Sequence, residues 1–235
     1  MNETFSSARG DRVNRAYEKL RELIVWGKLA PGTRIVEIEI ADRLRISRTP
    51  VRSALHRLQQ EGYILASDGG KQSRLSVAPL TREDARELFG IVGLVEGLAA
   101  RWAAEWEPAL RERLAGELRQ LNADLLRAAR DARPDHQLIF DLDTTFHRRY
   151  VEAGAGPRLL SLHDAVKPQA ERYVRLYVSA LVDEIGTSVE EHAEIIGAIA
   201  AGEPELSQRM VEKNWRNAAE RFAQVIDSLG ERGSW

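Results

Sequence analysis

Ser47, Arg48, Thr49 and Arg52, in ISRTPVRSALHRLQQEG, bring two hydroxyls and two guanidiniums into one short stretch. An arginine fork can bond N7 and O6 of a guanine together, and hydroxyls at a helix N-terminus can hold phosphate. Pro50 suits a first helical turn, where its missing N–H would be unpaired in any case. The chemistry on offer is recognition of double-stranded DNA. Catalytic chemistry is poorly served by comparison: there is no His-Glu-x-x-His, no Gly-x-Ser-x-Gly, no glycine-rich phosphate loop and no cysteine nucleophile.

The elements that must position those side chains follow from apolar spacing. Val13, Ala16, Leu20, Leu23 and Ile24 recur with helical period, and Ala30-Pro31-Gly32 breaks the helix. A second helix is predicted over about 37–44, burying Ile40, Ala41 and Leu44, and a third from Ser47 to Gly62, burying Val51, Leu55 and Leu58. Tyr63-Ile64-Leu65 and Leu75-Ser76-Val77 read as strands of a hairpin whose polar tip carries Gly70 and Lys71. Three helices and a hairpin make a winged helix-turn-helix, in which the start of the third helix enters the major groove and the tip reaches the minor groove. Glycine lets backbone approach sugar and phosphate, and Lys71 adds charge.

Beyond Pro79 the pattern changes to long helices, predicted over about 108–131, 135–153, 157–181, 188–201 and 204–228 after a first one opening at Thr81. Thr81 with Asp84, and Ser188 with Glu191, are spaced as capping boxes, and Pro168 could kink or split its helix. The expected fold is mostly α: residues 1–10 a disordered tail, 11–79 the winged helix-turn-helix, and 80–230 an antiparallel bundle of six or seven helices.

Charge follows the same division. Residues 1–80 carry 14 Lys and Arg against 9 Asp and Glu, whereas the whole chain of 235 has 34 against 36, so the remainder is acidic. A basic head on an acidic body suits a polyanion-binding module joined to one that avoids polyanions. With no cysteine there can be no disulfide, and any metal needs nitrogen or oxygen ligands. No apolar stretch approaches the roughly 20 residues that span a bilayer, and MNETFSSARG lacks a signal-peptide core. A cytoplasmic protein is expected.

The segment ISRTPVRSALHRLQQEG closely resembles the signature of GntR-family regulators, and Leu29 to Ile35 matches the loop before their second helix, so the resemblance spans residues 13–79. Downstream, TREDARELFGIVGLVEGLAARWAA is similar to the opening of the FadR-type (FCD) ligand-binding domain. Many members of that group hold a divalent metal with an Asp and a His four apart, a His in a later helix, and a final His 22 residues on. The resemblance places Asp143, His147 and His192 in the first three positions, and Asn214 in the last. A carboxamide oxygen is a weaker donor to a transition metal than imidazole. Zinc, nickel or manganese held weakly is one expectation, and a polar cavity that contacts its effector directly is the other. Val92 stands where relatives carry an arginine four residues before the glutamate of this helix, here Glu96, so anion contacts are sought in Arg172, Tyr173 and Arg175 instead. His163 and His136 fall outside the pattern and are read as ordinary surface or core residues.

The resemblance implies a homodimeric, sequence-specific transcriptional regulator, not an enzyme, whose C-terminal domain binds a small-molecule effector, a carboxylate by the family's pattern. The alternatives are an architectural DNA-binding dimer without a ligand and a metal-dependent enzyme.

Overall fold

The structure, a computed structural model, describes residues 3–67 and 74–233, residues 3–10 by their backbone alone. It divides into two compact units, residues 1–81 with 231–235, and residues 82–230.

In the first unit, α1 (Glu3–Val25) is followed by β1 (Arg34–Ile35), α2 (Glu37–Leu44), α3 (Arg48–Gln60), β2 (Ile64–Ser67) and β3 (Arg74–Val77). Helix is thus present from Glu3 onward, where a disordered tail was expected. The apolar stripe of α1, with Ala16, Leu20 and Ile24, packs into one core with Val51, Leu55 and Leu58 of α3 and with Tyr63, Ile64 and Val77. Between α2 and α3 the chain reverses at Arg45, whose φ of 54° is left-handed; its N–H and that of Ile46 close the helix onto Asp42 and Ala41 carbonyls. That conformation is unfavourable for a residue with a Cβ. The strands form an antiparallel sheet ordered β1-β3-β2, with Ile64 opposite Val77 and Ile35 opposite Leu75. The short β1 was not anticipated, since two residues carry no alternation to read. The hairpin tip with Gly70 and Lys71 lies outside the described residues.

The second unit contains α4 (Arg82–Ala104), α5 (Pro108–Ala129), α6 (His136–Gly154), α7 (Pro157–Leu181), a 3-10 turn (Val182–Glu184), α8 (Ile185–Ala201) and α9 (Pro204–Leu229). Local signals set most ends. Pro108, Pro157 and Pro204 occupy first turns, and the Asp135 carboxylate accepts the Gln137 and Leu138 N–H groups at 2.9 and 3.2 Å. Helix α7 runs unbroken through Pro168. Helix α4 is central, packing against α6, α7, α8 and α9. Its close approach to α6 requires Gly154, where a Cβ would run into the Ala99 carbonyl.

One start is displaced. Helix α8 begins at Ile185, so Ser188 lies inside it and cannot cap it. The chain turns upstream, at Val182–Glu184, and the polar side chains meant for a cap face α9: Arg221 donates to Ser188 Oγ at 3.3 Å and to both Glu191 oxygens.

Candidate functional site

On the first unit, burying Pro50, Val51, Ala54, Leu55 and Leu58 turns Ser47, Arg48, Thr49 and Arg52 outward as one exposed face at the start of α3. Ser47 is the extended residue preceding the helix, and its hydroxyl makes no capping bond. Arg52 is two-thirds exposed yet held, its Nε 3.0 and 3.1 Å from the Glu37 oxygens and a terminal nitrogen 2.9 Å from one of them. The hydrogen bond from Arg52 lowers the Glu37 pKa against the small opposing effect of burial. Arg57 is occupied differently: it pairs with Glu61 at 2.9 Å and stacks 3.7 Å over the Tyr17 ring. The face can present donors to base edges and phosphates.

In the second unit, a cavity of about 70 Å³ opens between α6, α7, α8 and α9. Asp143, His147 and His192 meet on its wall, their ligand atoms all within 4.8 Å of one another, and Asn214 lines it beside them. Both imidazoles are buried and their tautomers are determined by what their Nδ1 atoms touch. Nδ1 of His147 lies 2.7 Å from a Glu96 oxygen, and a carboxylate only accepts, so Nδ1 carries the proton. His192 Nδ1 lies 3.1 Å from Asn122 Oδ1, while the Asn122 amide nitrogen donates to the Val189 carbonyl at 2.9 Å. That pairing fixes the orientation of the Asn122 amide, so Nδ1 of His192 is again the donor. Each ring therefore keeps an Nε2 lone pair. His192 Nε2 is buried and has no hydrogen-bond partner among the described residues; the nearest acidic atom, Asp143 Oδ1, is 3.8 Å away. Burial above all, with the Arg221 charge nearby, holds the His192 pKa well below the usual imidazole value. Stacking on Phe146 at 3.9 Å and 12° keeps the ring in place.

Oriented neutral imidazoles, a carboxylate and an orphaned nitrogen fit a divalent metal. Asn214 Nδ2 donates to Glu191 at 2.8 Å, leaving its carboxamide oxygen as the donor it could offer. Burial opposes ionisation of Glu191, but hydrogen bonds from Arg221, Asn217 and Asn214 outweigh it and lower the pKa.

Behind His147 stands Glu96, wholly buried on α4. It accepts from Tyr150 at 2.6 Å and Trp215 at 2.8 Å, besides His147, and its other oxygen takes His163 at 3.1 Å and Lys167 at 3.0 Å. Burial resists the charge, yet the Lys167 ammonium, His147 and the hydrogen bond from His163 hold the carboxyl well below its usual range. Tyr150 is driven the other way, well above 10.0, by burial and by Glu96. Lys167 is the counter-charge of Glu96 itself, and Val92 is buried in the apolar core. His163 belongs to this network as a buried residue outside the metal pattern. One signal was readable beforehand: Glu96 interrupts an apolar stripe through Phe89, Val92 and Ala100, and a carboxylate placed there needs buried partners.

Arg172, Tyr173 and Arg175 do not line the cavity. Helix α7 turns Val174, Val178 and Leu181 toward it, and residues one or two positions away project elsewhere. Tyr173 donates to Asp84 at 2.6 Å, Arg175 stacks 3.8 Å over Phe140, and Arg172 is buried. The guanidinium at the cavity is Arg221, which the sequence reading passed over.

Residues 12–71 match the family described as bacterial regulatory proteins, gntR family, and residues 87–217 match the FCD domain. An HTH-type transcriptional regulator in an unstable DNA locus of Streptomyces ambofaciens is 32% identical over 209 residues, 87% of this chain and 83% of that protein. A probable D-xylose utilization operon transcriptional repressor of Paenarthrobacter nicotinovorans is 29% identical over 189 residues, 79% of this chain and 77% of its own. The fold is shared with E. coli McbR/YncC, at a TM-score of 0.68 and 19% identity over 91% of this chain and 98% of that one. It is shared too with a GntR regulator from Rhodococcus sp. RHA1, at 0.67 and 22% identity over the same fractions. The chain belongs to the GntR family of DNA-binding transcriptional regulators, not to a family of enzymes, and its helical unit is an FCD effector-binding domain.

Proposed function

We propose that the protein acts in the cytoplasm as a homodimer on an operator of two half-sites, with a divalent metal at Asp143, His147 and His192 forming the floor of its effector site. Arg48 and Arg52 read base edges, Ser47 and Thr49 hold phosphate, and Gly70 and Lys71 serve the minor groove. Asn214 supplies a weak fourth ligand or orients a bound water. When bound, the metal supplies positive charge to an anionic effector.

The observation that carries the metal reading is the buried, unpartnered Nε2 of His192 facing Asp143. A polar atom left so costs about 1–3 kcal/mol, which a coordinated cation recovers. Glu96 and Asn122 hold the two rings by their other nitrogens, as outer partners of metal-bound histidines do. Supporting the dimer, Ile91, Leu94 and Trp102 lie exposed on one side of α4 at helical spacing, an apolar stripe that a second copy would cover.

Mass spectrometry after chelation and refilling with zinc, nickel or manganese tests the metal. One ion per chain, lost in His192→Ala, is expected. No uptake of any of the three would reassign Asp143 and the histidines as direct effector contacts.

A further inference from the structure

The carboxylate of Glu37 opens α2, and the guanidinium it holds belongs to Arg52, 15 residues on, in α3. Two local features bring them together. Upstream, buried Ile35 lies opposite Leu75 in the sheet, so the chain enters α2 from a fixed point through extended Val36. Downstream, the left-handed turn at Arg45 sets α3 against α2. The pairing is side-on: Nε of Arg52 is shared by the two Glu37 oxygens at 3.0 and 3.1 Å, and Nη2 reaches one of them at 2.9 Å. A guanidinium has five N–H groups, and this contact uses one on Nε and one on Nη2. The second N–H of Nη2 and both of Nη1 lie beyond it, and one from each terminal nitrogen points forward in parallel.

Resting on the base-reading role proposed for Arg52 above, we infer that Glu37 is a positioning residue for sequence recognition, fixing the forward edge of Arg52 so that it admits guanine and rejects the other bases. In the major groove guanine offers N7 and O6 as neighbouring acceptors, matching two parallel N–H groups, whereas adenine sets an amino donor beside N7. A clamped fork facing adenine leaves one N–H against another donor. A free arginine would swing away to a phosphate and lose little, so without the clamp the pair is read poorly. Holding the fork beforehand also removes the rotamer freedom that a long side chain otherwise loses on binding. A carboxylate on a face that meets phosphates weakens general attraction for DNA, so discrimination, not affinity, is what Glu37 contributes.

Fluorescence anisotropy at fixed salt tests the assignment, with the full-length protein and duplexes in which each base pair of one operator, selected from a random library, is replaced in turn. Arg52→Ala identifies the guanine concerned, whose preference over adenine should fall by about 5–150-fold. Glu37→Ala and Glu37→Gln should each lower preference at that same pair by about 2–12-fold, while affinity for a random duplex rises. Base pairs whose discrimination is lost in Arg48→Ala should be unaffected by both, because the hydrogen bonds of Glu37 go to Arg52. A disturbed fold would blunt every position alike, and that outcome overturns the inference. Guanine preference kept by both Glu37 variants but lost in Arg52→Ala overturns the clamp and leaves the reading of Arg52 standing. An Arg52→Ala variant that loses preference at no base pair overturns that reading, and the inference with it.

Discussion

Nδ1 of His147 lies 2.7 Å from Oε2 of Glu96, inside the bundle and away from solvent, so an α4 carboxylate decides which nitrogen of an α6 histidine faces the cavity. The same carboxylate neutralises Lys167 and binds His163, tying α7 to α4.

Glu96→Gln should therefore act on two measurements at once. Metal affinity should drop by about 10–100-fold, because the ring's Nδ1–H exchanges a charged acceptor for a neutral amide that must also serve the other donors around it. Stability in chemical denaturation should fall by about 3–5 kcal/mol, because Lys167 is left buried without its counter-charge. Metal affinity unchanged in the folded variant would remove Glu96 from the site.

Arg48→Ala and Arg52→Ala should each weaken specific operator binding by about 1–3 kcal/mol in fluorescence anisotropy at fixed salt. Both side chains are exposed, so the melting temperature should scarcely move. Glu37→Ala is informative beside them: it releases Arg52 from its three short contacts, so the arginine loses its fixed direction and operator discrimination should decline.

Asn214→His should raise metal content and enlarge the metal-induced rise in melting temperature, since imidazole replaces a neutral oxygen as fourth donor. His147→Ala should abolish both. A parent and an Asn214→His variant that respond alike to metal would show that Asn214 is not at the fourth position.

Gly154→Ala should destabilise the helical unit by about 1–3 kcal/mol or more, the new methyl colliding with the Ala99 carbonyl of α4. Circular dichroism melts check this. A melting temperature equal to the parent's would mean that α4 and α6 are not packed as closely as described.

Most of the architecture was legible because its signals are local. Val51, Leu55 and Leu58 announce α3 by period alone, and Pro108, Pro157 and Pro204 mark helix starts. What escaped depends on neighbours distant in sequence. Ser188 and Glu191 have capping-box spacing, but Arg221, 30 residues beyond Glu191, engages both. Arg172 and Arg175 were sought as anion contacts and Arg221 was not, because the rotation of α7, which gives the cavity Val174 and Val178, has no signature in local sequence. For the cavity itself, the family resemblance pointed to Asp143 and His147, four apart on one helix face, whereas Asn122 and Glu96, which orient the two imidazoles, reach them across 70 and 51 residues.

Whether the cavity governs the head is tested most directly by operator affinity measured on one duplex, selected from a random library, with protein stripped of metal and with protein loaded with manganese. The expected result is a change in dissociation constant of about 5–150-fold between stripped and manganese-loaded protein, absent in His192→Ala, as a coupling free energy of about 1–3 kcal/mol requires. Equal operator affinity in both states, with the metal verified as bound, would contradict it.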